Sequence, residues 1–105
     1  MATTASFYDD LVYGEQNPVL KAILKIEHSK EVRICFRKGQ ELKKHKAPHP
    51  IVVQVLEGKI DFGLEDSERF ILEKGMMIAL DANLFHDLVA EEDSIVRLSI
   101  NTKSV

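Results

Sequence analysis

The chain is punctuated at short, fairly regular intervals by charged or glycine-containing breaks, and that rhythm decides more about its fold than any single motif. The breaks are Ser29-Lys30, Lys38-Gly39, Glu57-Gly58, Glu65-Asp66-Ser67, Lys74-Gly75 and Glu91-Glu92-Asp93-Ser94. Between them lie short β-like runs: Leu20–Glu27, Val32–Arg37, Ile51–Leu56, Lys59–Leu64, Phe70–Leu72, Met77–Leu80, Asp87–Ala90 and Ile95–Ile100. Many alternate with period two, so that Val32, Ile34 and Phe36 face one way and Arg33, Cys35 and Arg37 the other. Several short strands with regular turn signals predict an all-β sandwich or barrel and argue against a βαβ fold. No stretch after Val19 sustains a helical stripe.

Residues 1–18 lack the strand period, and Gly14-Glu15-Gln16-Asn17-Pro18 is turn-rich. They are expected to form an arm or short helix ahead of one barrel domain spanning residues 19–105. The 105 residues suffice for one domain, and a hydrophobic content of 45% can supply its core. A net charge of −3 with both signs interspersed does not suit a nucleic-acid binder, which would show a strongly basic face. No apolar run is long enough to span a bilayer. The start Met1-Ala2-Thr3-Thr4-Ala5-Ser6 has no basic segment followed by an apolar one, so no secretory leader is expected. Cys35 is the only cysteine; it excludes an internal disulfide and fits a reducing cytoplasm.

Four histidines are the candidate chemistry: His28, His45, His49 and His86. His28 lies in the turn-like Glu27-His28-Ser29-Lys30 and reads as a solvated surface group. His45 and His49 flank Ala47-Pro48, and the prolines stiffen the entry to Ile51-Val52-Val53, so both imidazoles could be held at one barrel mouth. His86 follows the turn-like Asp81-Ala82-Asn83-Leu84-Phe85 and heads a further strand. Neutral imidazoles converging on one cavity would suit a divalent first-row metal. Spacing alone leaves this open against the plainer reading of three polar residues at loop edges.

The stretch from Gly39 to Gly58, with His45 six residues after its glycine and Val55-Leu56-Glu57-Gly58 at its end, resembles the first cupin motif, G(X)5HXH(X)3-4E(X)6G. Gly75 to Ala90 is similar to the second, G(X)5PXG(X)2H(X)3N. The resemblance runs from about Leu20 to Ile100 and implies an antiparallel double-stranded β-helix, or jelly-roll barrel, that often pairs as a homodimer. It also implies a metal held by three histidines and a glutamate. Here His45 and His86 occupy the first and last ligand positions, while Ala47 stands for the second histidine and Ile51 for the glutamate. Asp81, Asn83 and Ala90 depart from the second motif.

His49 is expected to compensate if a bend at Ala47-Pro48 brings it beside His45. A His45, His49 and His86 set would then hold one iron, manganese, nickel, copper or zinc ion with open positions. The pocket wall is expected from Ile51, Val53, Phe62, Met77 and Leu88, with Ile60, Phe70, Ile78, Leu80 and Leu98 as further core, while Gln54 faces away. Lys38, Lys43, Lys44 and Lys46 read either as a solvated hairpin edge or as a field drawing in an anion. No Ser/His/Asp set, Cys/His pair or phosphate-cradling glycine loop is visible, so no catalytic residue is assigned. Two functions follow: a small-molecule-binding barrel with or without a metal, and a metal-dependent enzyme of dioxygenase or isomerase type. The apolar outer positions Val52 and Leu56 suggest a homodimer.

Overall fold

The computed structural model describes residues 1–103. Nine strands follow one another: β1 (Val19–Ile26), β2 (Ser29–Phe36), β3 (Glu41–His45), β4 (Ile51–Glu57), β5 (Lys59–Leu64), β6 (Arg69–Glu73), β7 (Met77–Leu80), β8 (His86–Ala90) and β9 (Ser94–Asn101). They form two antiparallel sheets, one of five strands in the order β1-β2-β9-β4-β7 and one of four in the order β3-β8-β5-β6. Strands adjacent in sequence repeatedly fall in opposite sheets, as the double-stranded β-helix requires.

Alternation builds the core. Ile51, Val53 and Val55 of β4, Ile60 and Phe62 of β5, and Leu88 and Ala90 of β8 turn inward, joining Val32, Ile34, Phe36, Leu72, Leu80 and Val96 in one buried cluster. Each large apolar side chain in it contributes roughly 1.5–3 kcal/mol by leaving water. Between β4 and β5 the chain changes sheets through Gly58 alone, at φ +91°, and an added Cβ there would overlap Ser94. Only glycine meets both demands without strain.

One strand escapes the sequence reading. β3 carries a single apolar residue, Leu42, and forms an edge of its sheet with β8 as its one partner. Backbone pairing, not hydrophobic alternation, defines it. Two core assignments also change. Phe70 lies on the other edge strand of the same sheet and is 36% exposed. Met77 pairs with the outward Gln54 while its neighbour Ile78 pairs with the inward Val53, so Met77 is 58% exposed and outside the barrel. Adjacent strand residues cannot both face inward.

The first eighteen residues form an arm with no helix, turning at Phe7–Asp10. Arg33, on the outer face of β2, donates from Nη1 to the carbonyls of Phe7 (3.2 Å) and Asp9 (2.6 Å) and from Nη2 to that of Asp10 (3.2 Å). Gln40 Nε2 donates to the Gly14 carbonyl at 2.7 Å, and the Tyr8 hydroxyl donates to Glu57 at 3.1 Å. The arm therefore covers the outer face of β2, where Arg33 is 1% and Cys35 0% exposed. Both faces of this strand are buried, one by the core and one by the arm.

Candidate functional site

β8 begins at His86, whose side chain shares the inward face with Leu88 and Ala90 and is 4% exposed. Its ring stacks on that of Phe62, with centroids 5.6 Å apart and planes 6° from parallel. Across the ladder it pairs with His45 of β3, and the two ring centroids are 4.3 Å apart. The register between these strands shifts: Leu42 pairs with Leu88 and His45 with His86, so Lys43 and Lys44 together oppose Asp87. The extra residue returns His45 to the side occupied by Leu42.

Both imidazoles are fixed in the same way. His45 Nδ1 lies 2.7 Å from the Lys43 carbonyl and His86 Nδ1 lies 3.1 Å from that of Leu84. A carbonyl only accepts, so each Nδ1 carries a proton and turns to the backbone, leaving Nε2 without a protein partner among the described residues. Burial holds the His86 pKa below its ordinary value of 6.5; the Leu84 carbonyl opposes the shift and the adjacent His45 adds to it.

His49 does not join the pair. Among the described residues no three His, Cys, Asp or Glu side chains gather as a metal site, so the expected His45, His49 and His86 set is not formed. The bend at Ala47 serves another purpose. Ala47 packs against the core and its carbonyl accepts the Asn83 N–H at 2.8 Å, while Ile51 is paired between Leu80 and Ile100 in the opposite sheet. The segment that carries His49 thus crosses from β3 to β4 in the other sheet. Asp87 also stays apart: it lies on the outer face and accepts from Arg69 Nη2 at 2.8 Å. His28 is a surface residue beside Glu27, as read from the sequence.

Ile51, Val53, Phe62 and Leu88 of the expected pocket wall are buried in the packed core, and open space lies instead around the barrel end. A cavity of about 300 Å³ touches His86 and Leu64 together with Lys44, Arg69, Glu65 and Asp87. A second of about 330 Å³ shares Leu64 and adds Leu84 and Phe85. A wider apolar groove of about 950 Å³ shares Leu84 and runs past Ile51, Leu80 and Ile100. Phe85 was not singled out by sequence, being hidden in a turn-like run. The Lys44 and Lys46 ammonium groups lie 5.3 and 5.1 Å from its ring centroid.

Two antiparallel sheets with an imidazole pair at one end define a small double-stranded β-helix protein. Residues 32–101 match the family model for the cupin domain, and the chain belongs to that family. No curated protein matches it. Among solved structures it is similar to an RmlC-like cupin protein from Desulfovibrio desulfuricans, with a TM-score of 0.88 and 21% identity over 97% of this chain and 98% of that one. An uncharacterized conserved protein with a double-stranded β-helix domain from Klebsiella pneumoniae gives 0.86 and 17%, covering 97% and 91% of the two chains. At these identities the likeness shows the fold alone.

The metal that the fold family implies is not matched by the donors present. Three or four protein ligands hold such ions, whereas two imidazole nitrogens are offered here, with alanine and isoleucine at the other family positions and the neighbouring Glu65 and Asp87 engaged by Lys44 and Arg69. No chemistry is therefore derived through a metal.

Proposed function

We propose that this cupin binds a small molecule at the barrel end where His45 and His86 face each other. The observation that supports this reading is the pair itself: two rings 4.3 Å apart, each bonded through Nδ1 to a backbone carbonyl, with His86 lining a cavity of about 300 Å³ and His45 beside it. His45 is exposed, whereas His86 is buried, and a polar side chain this buried is ordinarily satisfied by protein partners. A few convergent polar atoms beside apolar walls are the usual makings of a ligand site. The bound molecule would sit at the mouth, because Val53, Phe62 and Leu88 fill the interior. A metal-dependent dioxygenase or isomerase would need more ligands than this pair supplies.

Imidazole nitrogen NMR during titration with a mixed metabolite library tests the reading. Binders should shift the Nε2 signals of His45 and His86 and lose affinity in His86→Leu. Binders that perturb only other residues would overturn it. So would near-stoichiometric iron, manganese, nickel, copper or zinc in native-purified protein that disappears in both His45→Ala and His86→Ala, an outcome favouring the enzyme.

A further inference from the structure

We propose that the molecule bound at this site is an amphipathic anion, with an oxyanion head between the lysines and histidines and an apolar body along Phe85 and Leu84 into the groove. The inference rests on the binding role proposed above and adds its ligand class.

Charge is the first support. The chain carries −3 overall, yet Glu41–Pro50 holds Lys43, Lys44 and Lys46 against the single carboxylate of Glu41. Lys44 and Lys46 are both drawn to the Phe85 ring, at 5.3 and 5.1 Å, which places two ammonium groups at the mouth by cation–π attraction. Glu65 lies 3.8 Å from Lys44, while Lys43 and Lys46 have no carboxylate within salt-bridge distance among the described residues. Two like charges held around one ring repel each other, and an anion between them relieves that repulsion.

Adjacency of the three openings is the second. The His86 cavity and the Phe85 cavity share Leu64 and Glu65, and the Phe85 cavity shares Leu84 with the groove. A chain-like body can follow that path over Leu84 to Ile51, Leu80, Ile100 and Ile26. Both ends carry carboxylates: Glu27 and Asp81 line the groove beside Lys103, and Glu65, Asp66 and Asp87 line the two smaller cavities, where Lys44 lies 3.8 Å from Glu65 and Arg69 Nη2 holds Asp87 at 2.8 Å. Lys43 and Lys46, which no carboxylate pairs among the described residues, place the head at their end and leave the apolar groove to the body.

Calorimetric titration of the full chain at low ionic strength decides the matter, using octanoate, octyl phosphate, acetate, 1-octanol and octylammonium. Octanoate or octyl phosphate should bind, and whichever is tighter names the head group. Acetate, octanol and octylammonium should each be weaker by roughly tenfold or more, since each lacks one of the two interactions or reverses the charge. The double variant Lys44→Glu/Lys46→Glu should weaken octanoate by roughly tenfold, and Leu84→Asp should do the same without altering the thermal unfolding of the free protein. Octylammonium or octanol binding as tightly as octanoate would overturn the ligand class, as would an unchanged affinity in the charge-reversed variant. If neither anion binds while library compounds still shift His45 and His86, the class fails and the site survives. If nothing shifts those imidazoles, the site itself fails.

Discussion

Arg33 and His86 are both polar side chains removed from water, at 1% and 4% exposure, and they are treated in opposite ways. The Arg33 guanidinium is enclosed by the amino-terminal arm, whose carbonyls at Phe7, Asp9 and Asp10 take its terminal nitrogens. Only its Nε is left buried without a partner among the described residues. His86 spends one nitrogen on the Leu84 carbonyl and leaves the other beside a cavity. The first arrangement fastens a segment of chain. The second holds a ring in place at the wall of a cavity, and on its other nitrogen the proposed binding role rests. The difference lies in where the uncommitted atom sits: the Arg33 Nε is sealed under the arm, whereas His86 lines an open cavity that a partner can enter.

Phe62→Ala tests the ground under the functional side of that contrast and should have the largest effect. Removing a fully buried ring from beneath His86 should cost about 4 kcal/mol in urea denaturation. A cost below about 1 kcal/mol would show that the imidazole is not supported by stacking and packing there. Arg33→Ala should follow, at about 3 kcal/mol, with protease cleavage appearing before Val19. An arm that stays protected in this variant would break the contrast, since Arg33 would then fasten nothing. His86→Leu should change stability by less than about 1 kcal/mol, because an apolar side chain of similar reach replaces a half-satisfied polar one, while ligand binding is lost. A large destabilisation with binding intact would exchange the roles assigned to the two residues.

The smallest expected effect is on pH dependence. Because burial holds the His86 pKa below 6.5, the unfolded chain takes up a proton that the folded one resists. Its contribution to stability is thus fully present above the unfolded pKa and is lost as pH falls toward the folded one. Urea midpoints measured between about pH 7.5 and about pH 5.5 should decline more steeply in wild type than in His86→Leu. Equal slopes would mean that the ring titrates freely.

Much of this architecture is legible from residue order. The breaks at Lys38-Gly39, Glu57-Gly58 and Lys74-Gly75 fall at turns whose glycines have positive φ, and β4 and β8 show the inward alternation read from their sequences. What is not legible is whatever depends on a distant partner. Arg33 looks like a surface residue until the arm, 23 to 26 residues upstream, is laid across it. Which of Met77 and Ile78 enters the core is set by register with β4, not by either residue. β3 is polar because its outer side meets water at a sheet edge, so hydrophobic pattern could not reveal it. The histidine pair was half visible: spacing marked both residues, but the route of the Ala47–Pro50 segment decided that His49 would not join them.

The register shift in β3 has a consequence for how relatives of this protein ought to be compared. Strict alternation from Leu42 would send the side chain at position 45 outside; the doubled Lys43-Lys44 sends it in. Deleting one of those lysines would keep the histidine but bring it one residue closer to Gly39 and turn its ring to the face away from His86, whereas many substitutions at the same two positions would leave it where it is. Chain length across this short edge, more than residue identity, is what natural variation would have to preserve. Two aligned sequences with the same histidine can therefore possess different mouths.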